Sequence, residues 1–241
     1  MVRRLAVALL LVVGVVLRLA HLDENGSDVL TVTRQAIRYL EAGYNPYGHG
    51  YLDSTPPGAP YAYGPLALLY YAVMPERIEL YASVLTLAVF ALANRLLGLA
   101  WLALWMPLSV LASDGSNDTS VGLLLLGALV LATRHPRAGA GVLAAVVAVK
   151  PYVLAFLPPM LGAYGLSVLA PFLVGTAAAW GPALLLWSPS AILWSFQAAL
   201  EVHDQPWYSL GALIDATPDQ HRILPILQVG SGGLAALGSL R

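Results

Sequence analysis

Lys150 stands inside an apolar run, flanked by Val147, Ala148, Val149, Tyr152 and Val153. An ionisable side chain in such company is costly, and one that is kept there usually serves a site. An ammonium group can offset a concentrated negative charge such as a phosphate; the plainer alternative is a side chain that snorkels to an interface. Carboxylates supply the opposite chemistry. Asp28 begins a helical stretch, where it can act as a general base or cap the helix. Asp23 and Glu24 compete with it for the same role, and spacing does not decide among the three. Asn117 and Asp118 form a second polar pair, and Glu201, His203, Asp204 and Gln205 a further group. Tyr61 and Tyr63 offer aromatic faces to a ligand, although packing is the ordinary use of such rings.

The elements that must position these residues are apolar helices. Of 241 residues, 59% are hydrophobic and 10% charged, with a mean hydropathy of +0.73. A soluble domain carries about 25% charged residues, so this chain cannot cover its own surface in water. A bilayer accepts it, provided that helices satisfy their own backbone polar groups. The net charge of −1 leaves no basic surplus to hold nucleic acid. The absence of cysteine excludes disulfides and thiolate metal sites. Residues 1–20 resemble a signal peptide, but Arg18-Leu19-Ala20 is a poor cleavage site and further apolar runs follow, so they read as a retained first helix.

Arg3 and Arg4 orient the N-terminus to the cytoplasm. The first helix, 4–20, then leads to an outer loop, 21–63. Within it Val29, Val32, Ala36, Ile37 and Leu40 recur at helical spacing. This predicts an amphipathic helix from Asp28 to Ala42, started by Ser27 or Asp28, ended by Gly43, and suited to a membrane surface. Apolar runs follow at 65–74, 78–95 and 97–112, then a polar segment, 113–119, and a run at 120–133 before the basic cluster Arg134 to Arg137. Those basic residues belong inside and the 113–119 segment outside, which requires an even number of crossings between 63 and 113. Three runs do not supply one unless one of them is re-entrant or interfacial. Residues 138–163 are broken at Lys150-Pro151. A span at 165–187, a second outer loop at 188–220 with Trp187, Trp194, Trp207 and Tyr208 as interfacial anchors, and a last run at 223–240 complete the chain. The expected fold is all-α: a single polytopic transmembrane bundle, 1–241, of about seven or eight spans.

In order and spacing, these residues resemble the GT-C superfamily of membrane glycosyltransferases, and within it the polyprenyl-phosphate-mannose-dependent mannosyltransferases of glycosyltransferase family 87. The likeness lies in the acidic residue after the first helix with the Gly-x-Asn-Pro-Tyr turn (Asp28, then Gly43, Asn45, Pro46 and Tyr47), in Tyr-x-Tyr-Gly-Pro-Leu from Tyr61 to Leu66, and in the loop Ser116-Asn117-Asp118. It also lies in the break at Lys150-Pro151 and, more weakly, in His203 and Gln205 before Ser209. It covers residues 1–210. The family often has Tyr-Pro-Pro in the second place and Gly-Gln-x-Asn in the third, and its members usually run longer. The resemblance implies an inverting sugar transfer from a polyprenyl-phosphate donor to a lipid-linked or envelope glycan, at the extracytoplasmic side of the cell membrane. It implies Asp28 as base, with Lys150, His203, Gln205, Tyr63, Asn117 and Asp118 toward the donor phosphate or substrate. Some relatives use a divalent cation, for which Asp23, Glu24 and Asp28 are not a diagnostic ligand set. Broken helices and a buried charge also suit a transporter or lipid flippase, against which stand the one-sided polar residues and the lack of an inverted repeat. A non-catalytic membrane subunit is the third possibility. An intramembrane protease lacks its Gly-x-Ser-x-Gly or His-Glu-x-x-His motif.

Overall fold

The computed structural model describes residues 2–20, 28–54, 57–73, 77–104 and 116–202. These residues are all-α apart from one small hairpin. Helix α1 is Val2–Ala20 and α2 is Asp28–Glu41. Gly43, at φ 82°, ends α2; the Tyr44 N–H donates to the Tyr39 carbonyl at 2.9 Å, closing the left-handed cap that glycine permits. The apolar face expected on a membrane surface is turned instead onto the protein's own core. Val32 and Ala36 are buried there, with Ile37 and Leu40 packed beside them. The turn that follows makes this possible. The Asn45 Oδ1 accepts the Tyr47 N–H at 2.9 Å, an Asx turn, and the chain doubles back through β1 (Gly50–Tyr51) and β2 (Ala59–Pro60), paired antiparallel.

Helices α3 (Pro65–Val73), α4 (Ile78–Leu92), α5 (Leu96–Leu104), α6 (Asp118–Ala132) and α7 (Pro136–Val147) follow. Their contacts show which helix ends lie together, while residues 74–76 and 105–115, which hold part of the uneven count between 63 and 113, lie outside the described residues. The Arg3 Nη2 donates to the Asn94 carbonyl at 2.9 Å, so the start of α1 and the end of α4 share one end of the bundle. The Ser120 N–H donates to the Glu79 carboxylate at 2.9 Å, so α4 and α6 both begin at the other end. Helix α3 lies at that second end as well, since the Gly64 N–H reaches the Val149 carbonyl and the Tyr70 hydroxyl reaches Glu79. With nine residues it is about 13 Å long at 1.5 Å per residue. Helix α4 therefore runs the length of the bundle, α5 returns, and α3 does neither.

After α7 the chain breaks at Lys150-Pro151, as expected. A 3₁₀ turn (Pro151–Phe156), α8 (Leu157–Tyr164), a second 3₁₀ turn (Gly165–Val168) and α9 (Leu169–Leu186) form one stretch. Among the described residues, Pro151–Leu186 is long and apolar enough to cross a membrane, and only 17% of its most apolar window is buried within the chain. A core helix of a water-soluble protein hides such a face. Helices α4, α6 and α7 are shorter apolar helices. The segment read as loop from 188 opens instead with α10 (Pro189–Val202). Ser188-Pro189-Ser190 looks like a turn in sequence, yet the Ser188 carbonyl accepts the Ala191 and Ile192 N–H groups and starts the helix. The rest of that segment and the last run, 223–240, lie outside the described residues, as do Trp207 and Tyr208.

Small residues set the helix spacing. A Cβ on Gly139 would stand 2.6 Å from the Ala132 Cβ, one on Gly175 2.9 Å from the Ala144 Cβ, and one on Gly14 2.9 Å from Leu87. Close backbone approach of this kind replaces the hydrophobic drive that helices lack in lipid. The buried apolar residues fall into two clusters. The larger joins α2, α3, α6, α7 and α9, and the smaller centres on Leu87, Leu99 and Ala103, between α1, α4 and α5.

Gly64 is the tightest contact between loop and bundle, since a Cβ there would lie 2.0 Å from the Ala148 carbonyl oxygen. Gly64→Ala is expected to destabilise the protein by about 1–3 kcal/mol, the usual range for overpacking. Gly127→Ala, with nothing within 4 Å of the added atom, is expected to stabilise by up to ~1 kcal/mol through helix propensity. Unfolding midpoints in detergent check both; equal midpoints for the two variants would contradict the packing described.

Candidate functional site

The break after α7 brings the candidate residues together. Pro151 has no N–H and cannot continue the helix. The Ala148 and Val149 carbonyls are then taken by the Leu66 and Gly64 N–H groups, at 3.0 and 3.1 Å. This docks Tyr61 to Leu66 against the end of α7. The Tyr61 ring is fully buried, its hydroxyl donating to the Gly64 carbonyl at 2.9 Å. The Tyr47 hydroxyl donates to the Tyr63 carbonyl at 3.0 Å. These two tyrosines hold the loop rather than face a ligand. Tyr63 is left beside Lys150, whose Nζ lies 5.8 Å from its ring centroid and 5.4 Å from that of Tyr152.

Lys150 does not stand alone. Its Nζ donates to the Asp118 Oδ1 at 2.5 Å, and the Tyr152 hydroxyl donates to the same oxygen at 3.2 Å. The lysine side chain is 11% exposed and the aspartate 35%. Asp118 opens α6, where a carboxylate also faces the positive end of the helix dipole. Asn117, the residue before, is fully buried, and its amide nitrogen and oxygen have no hydrogen-bond partner among the described residues. It makes no cap bond to α6.

That cap comes from Glu79 on α4, a residue the sequence reading passed over. Its Oε2 accepts the Ser120 N–H at 2.9 Å, and its Oε1 accepts the Ser120 hydroxyl and, at 3.1 Å, the Tyr70 hydroxyl. Glu79 is 1% exposed. Arg18 on α1 was passed over too. It is equally buried, and its guanidinium donates to the Ser83 hydroxyl at 2.5 Å and to the Gly14 and Leu102 carbonyls, each at 2.9 Å. Arg18 could have been found by the rule that singled out Lys150, a charge within an apolar run. Arg18 and Ser83 line a cavity of about 280 Å³ with Phe90, Leu102, Leu123 and Leu126, and Asp118 and Thr119 border its polar edge.

The same end of the bundle carries an aromatic group. His49 stacks on Tyr39 with centroids 4.6 Å apart and meets Tyr51 edge-on at 4.8 Å. Burial lowers its pKa from the usual value, opposed by its bond to the Tyr47 backbone. The Gly48 N–H, from the same turn, donates to the Ser195 hydroxyl on α10 at 2.9 Å.

Some of the residues singled out in the sequence lie together. Lys150, Asp118 and Tyr63 meet, and Asn117 lies next to them. The backbone of Asp28 opens α2, and its side chain lies outside the described residues, as do Asp23, Glu24, His203 and Gln205. Among the described residues no group of three or more His, Asp or Glu side chains could hold a metal ion.

Glu79→Ala removes an acceptor from three donors and uncaps α6. It is expected to lower stability by about 2–4 kcal/mol, with Glu79→Gln retaining roughly half of that. Thermal unfolding in detergent measures both, and an unchanged Glu79→Ala midpoint would remove Glu79 from this role.

Comparison with protein-family models, with curated proteins and with solved structures finds no match for the chain.

Proposed function

We propose that the protein is a multi-pass membrane glycosyltransferase that moves a sugar, mannose in the closest resemblance, from a polyprenyl-phosphate donor to a lipid-linked or envelope glycan. The observation that carries this is the pairing of a cation, Lys150, with Asp118, which is also one of the residues that line a largely apolar cavity. A cation next to an apolar slot suits an anionic lipid better than a soluble sugar nucleotide. The exposed apolar faces of Pro151–Leu186 and of α1, where Leu5, Leu9, Val12 and Val16 are all more than half exposed, suit a lipid surround. In this proposal the Lys150 end faces outward, and Arg3, Asn94 and Arg134 face the cytoplasm.

The chemistry is a single displacement. The acceptor hydroxyl attacks the anomeric carbon from the side opposite the phosphate, and its proton passes to the Asp28 carboxylate. The bond from the anomeric carbon to the phosphate oxygen breaks, its electron pair leaves with the phosphate, and the configuration inverts. Negative charge grows on the leaving oxygens, and an ammonium close to them lowers the barrier. Tyr63 would lie against the sugar or the lipid, and His203 and Gln205 would complete the phosphate contacts.

A transporter or flippase is the alternative. The buried Arg18 and Glu79 favour it, because charges inside a helical bundle often mark a substrate path. Purified protein given polyprenyl-phosphate-mannose and a membrane lipid extract separates the two. Transfer to lipid is expected, with Asp28→Ala slowing it by about 10²–10⁴-fold. Equal transfer by wild type and Asp28→Ala would remove Asp28 as base, and lipid movement without transfer would support the transporter.

Topology has its own test in this cysteine-free chain. An impermeant maleimide is expected to label Tyr44→Cys from outside and Asn94→Cys only from the cytoplasm. Labelling of both from one side would contradict the multi-pass arrangement.

A further inference from the structure

We infer that Asp118 is an internal competitor for Lys150, holding the ammonium until a phosphate headgroup displaces it and so setting how strongly an anion must bind to occupy the site. The inference rests on the proposed lipid-phosphate donor and adds an affinity threshold to it.

The two partners differ in what they lose on parting. Lys150, 11% exposed and set between the Tyr63 and Tyr152 rings, has little water to turn to. Without an anion it would be a nearly buried, unpaired charge, which is strongly unfavourable. Asp118, 35% exposed and first in α6, has both solvent and the helix N-terminus to stabilise it. The pair therefore exchanges in one sense: Lys150 stays and Asp118 yields. Asp118 and Thr119 also border the apolar cavity, so an amphiphile whose chain entered between α4 and α6 would bring its headgroup to this pair. Glu79 accepts from Ser120, two residues after Asp118, and Arg18 lines the same cavity as Asp118.

Exchange of this kind lowers the affinity of every anion by the same factor, so that at a given concentration the stronger binder alone still occupies the site. A ligand carboxylate replaces the Asp118 carboxylate like for like and gains little. A phosphate monoester, with more charge and three acceptor oxygens, gains more. A sugar phosphodiester begins with one charge and acquires a second as the glycosidic bond breaks. Lys150 is then drawn from Asp118 most strongly at that moment, and such binding favours the transition state over the ground state. Before that, ligand affinity is reduced by the fraction of molecules in which Lys150 is free.

The test is binding of the full chain, in phosphatidylcholine vesicles, to polyprenyl phosphate or to oleate added to the bilayer, with inorganic phosphate as a soluble third arm. Wild type is expected to prefer polyprenyl phosphate to oleate by about tenfold or more. Asp118→Asn is expected to bind polyprenyl phosphate and oleate each about fivefold more tightly, with the preference between them unchanged. Lys150→Gln is expected to lose both gains. Tyr152→Phe takes one hydrogen bond from Asp118 at an exposed ring and is expected to tighten the binding of both lipids by about twofold; it decides the matter should Asp118→Asn not fold. Inorganic phosphate that binds Asp118→Asn more tightly than wild type supports the exchange at the headgroup. Unchanged or weaker polyprenyl phosphate binding by folded Asp118→Asn, or by Tyr152→Phe in its place, overturns the inference. If wild type transfers sugar in the same preparation, the proposed function survives that result; if no variant binds polyprenyl phosphate at all, both fall.

Discussion

Two backbone carbonyls at the end of α7, those of Ala148 and Val149, connect the parts of this protein. Pro151 stops the helix and leaves them without an intrahelical donor. In water they would be hydrated, but inside an apolar bundle they need a protein partner. The Leu66 and Gly64 N–H groups provide it, and Gly64 is the residue that can come close enough. Much else follows from that docking. Tyr61 is buried, Tyr63 is set beside Lys150, and α3 is held at one end of the bundle. Lys150 itself is carried by the residue that precedes the break, in extended conformation, which frees its side chain from the helix surface.

Charged groups at this end are handled in pairs or with several hydrogen bonds, as a low dielectric demands. Lys150 meets Asp118. Glu79 meets three donors, and Arg18 meets a hydroxyl and two carbonyls. Each of these ties helices that are far apart in sequence. The glycine and alanine contacts between α6, α7 and α9 do the complementary work by letting backbones approach. Polar ties then fix register where apolar packing alone would allow sliding.

Much of the fold was legible in the sequence because its signals are local. The bounds of α2 came from apolar spacing and from Gly43, and the break at Lys150-Pro151 came from proline chemistry. Lys150 itself stood out as a charge in an apolar run. Its bond to Asp118 did not, since no spacing rule links side chains on different helices 32 positions apart. Glu79 was hidden because it follows Glu76-Arg77 and reads as the tail of a polar connector. Arg18 was hidden because it sits near the end of its run and was weighed only against a cleavage site. The surroundings of α2 were misjudged for a related reason: periodicity identifies an apolar face but not what covers it. Helix α10 was missed because Ser188-Pro189-Ser190 looks like a turn, and the same residues start helices.

The cavity bounded by Arg18 and Asp118 lies between the two apolar clusters, with α6 on one wall and α1, α4 and α5 on the others. It is a mechanical seam. An interior close-packed throughout transmits force as one solid, but here stiffness drops along a plane crossed by Glu79 and by the contact of α4 with α6. Whatever fills the seam therefore also sets its rigidity, so an occupied protein is a stiffer body than an empty one.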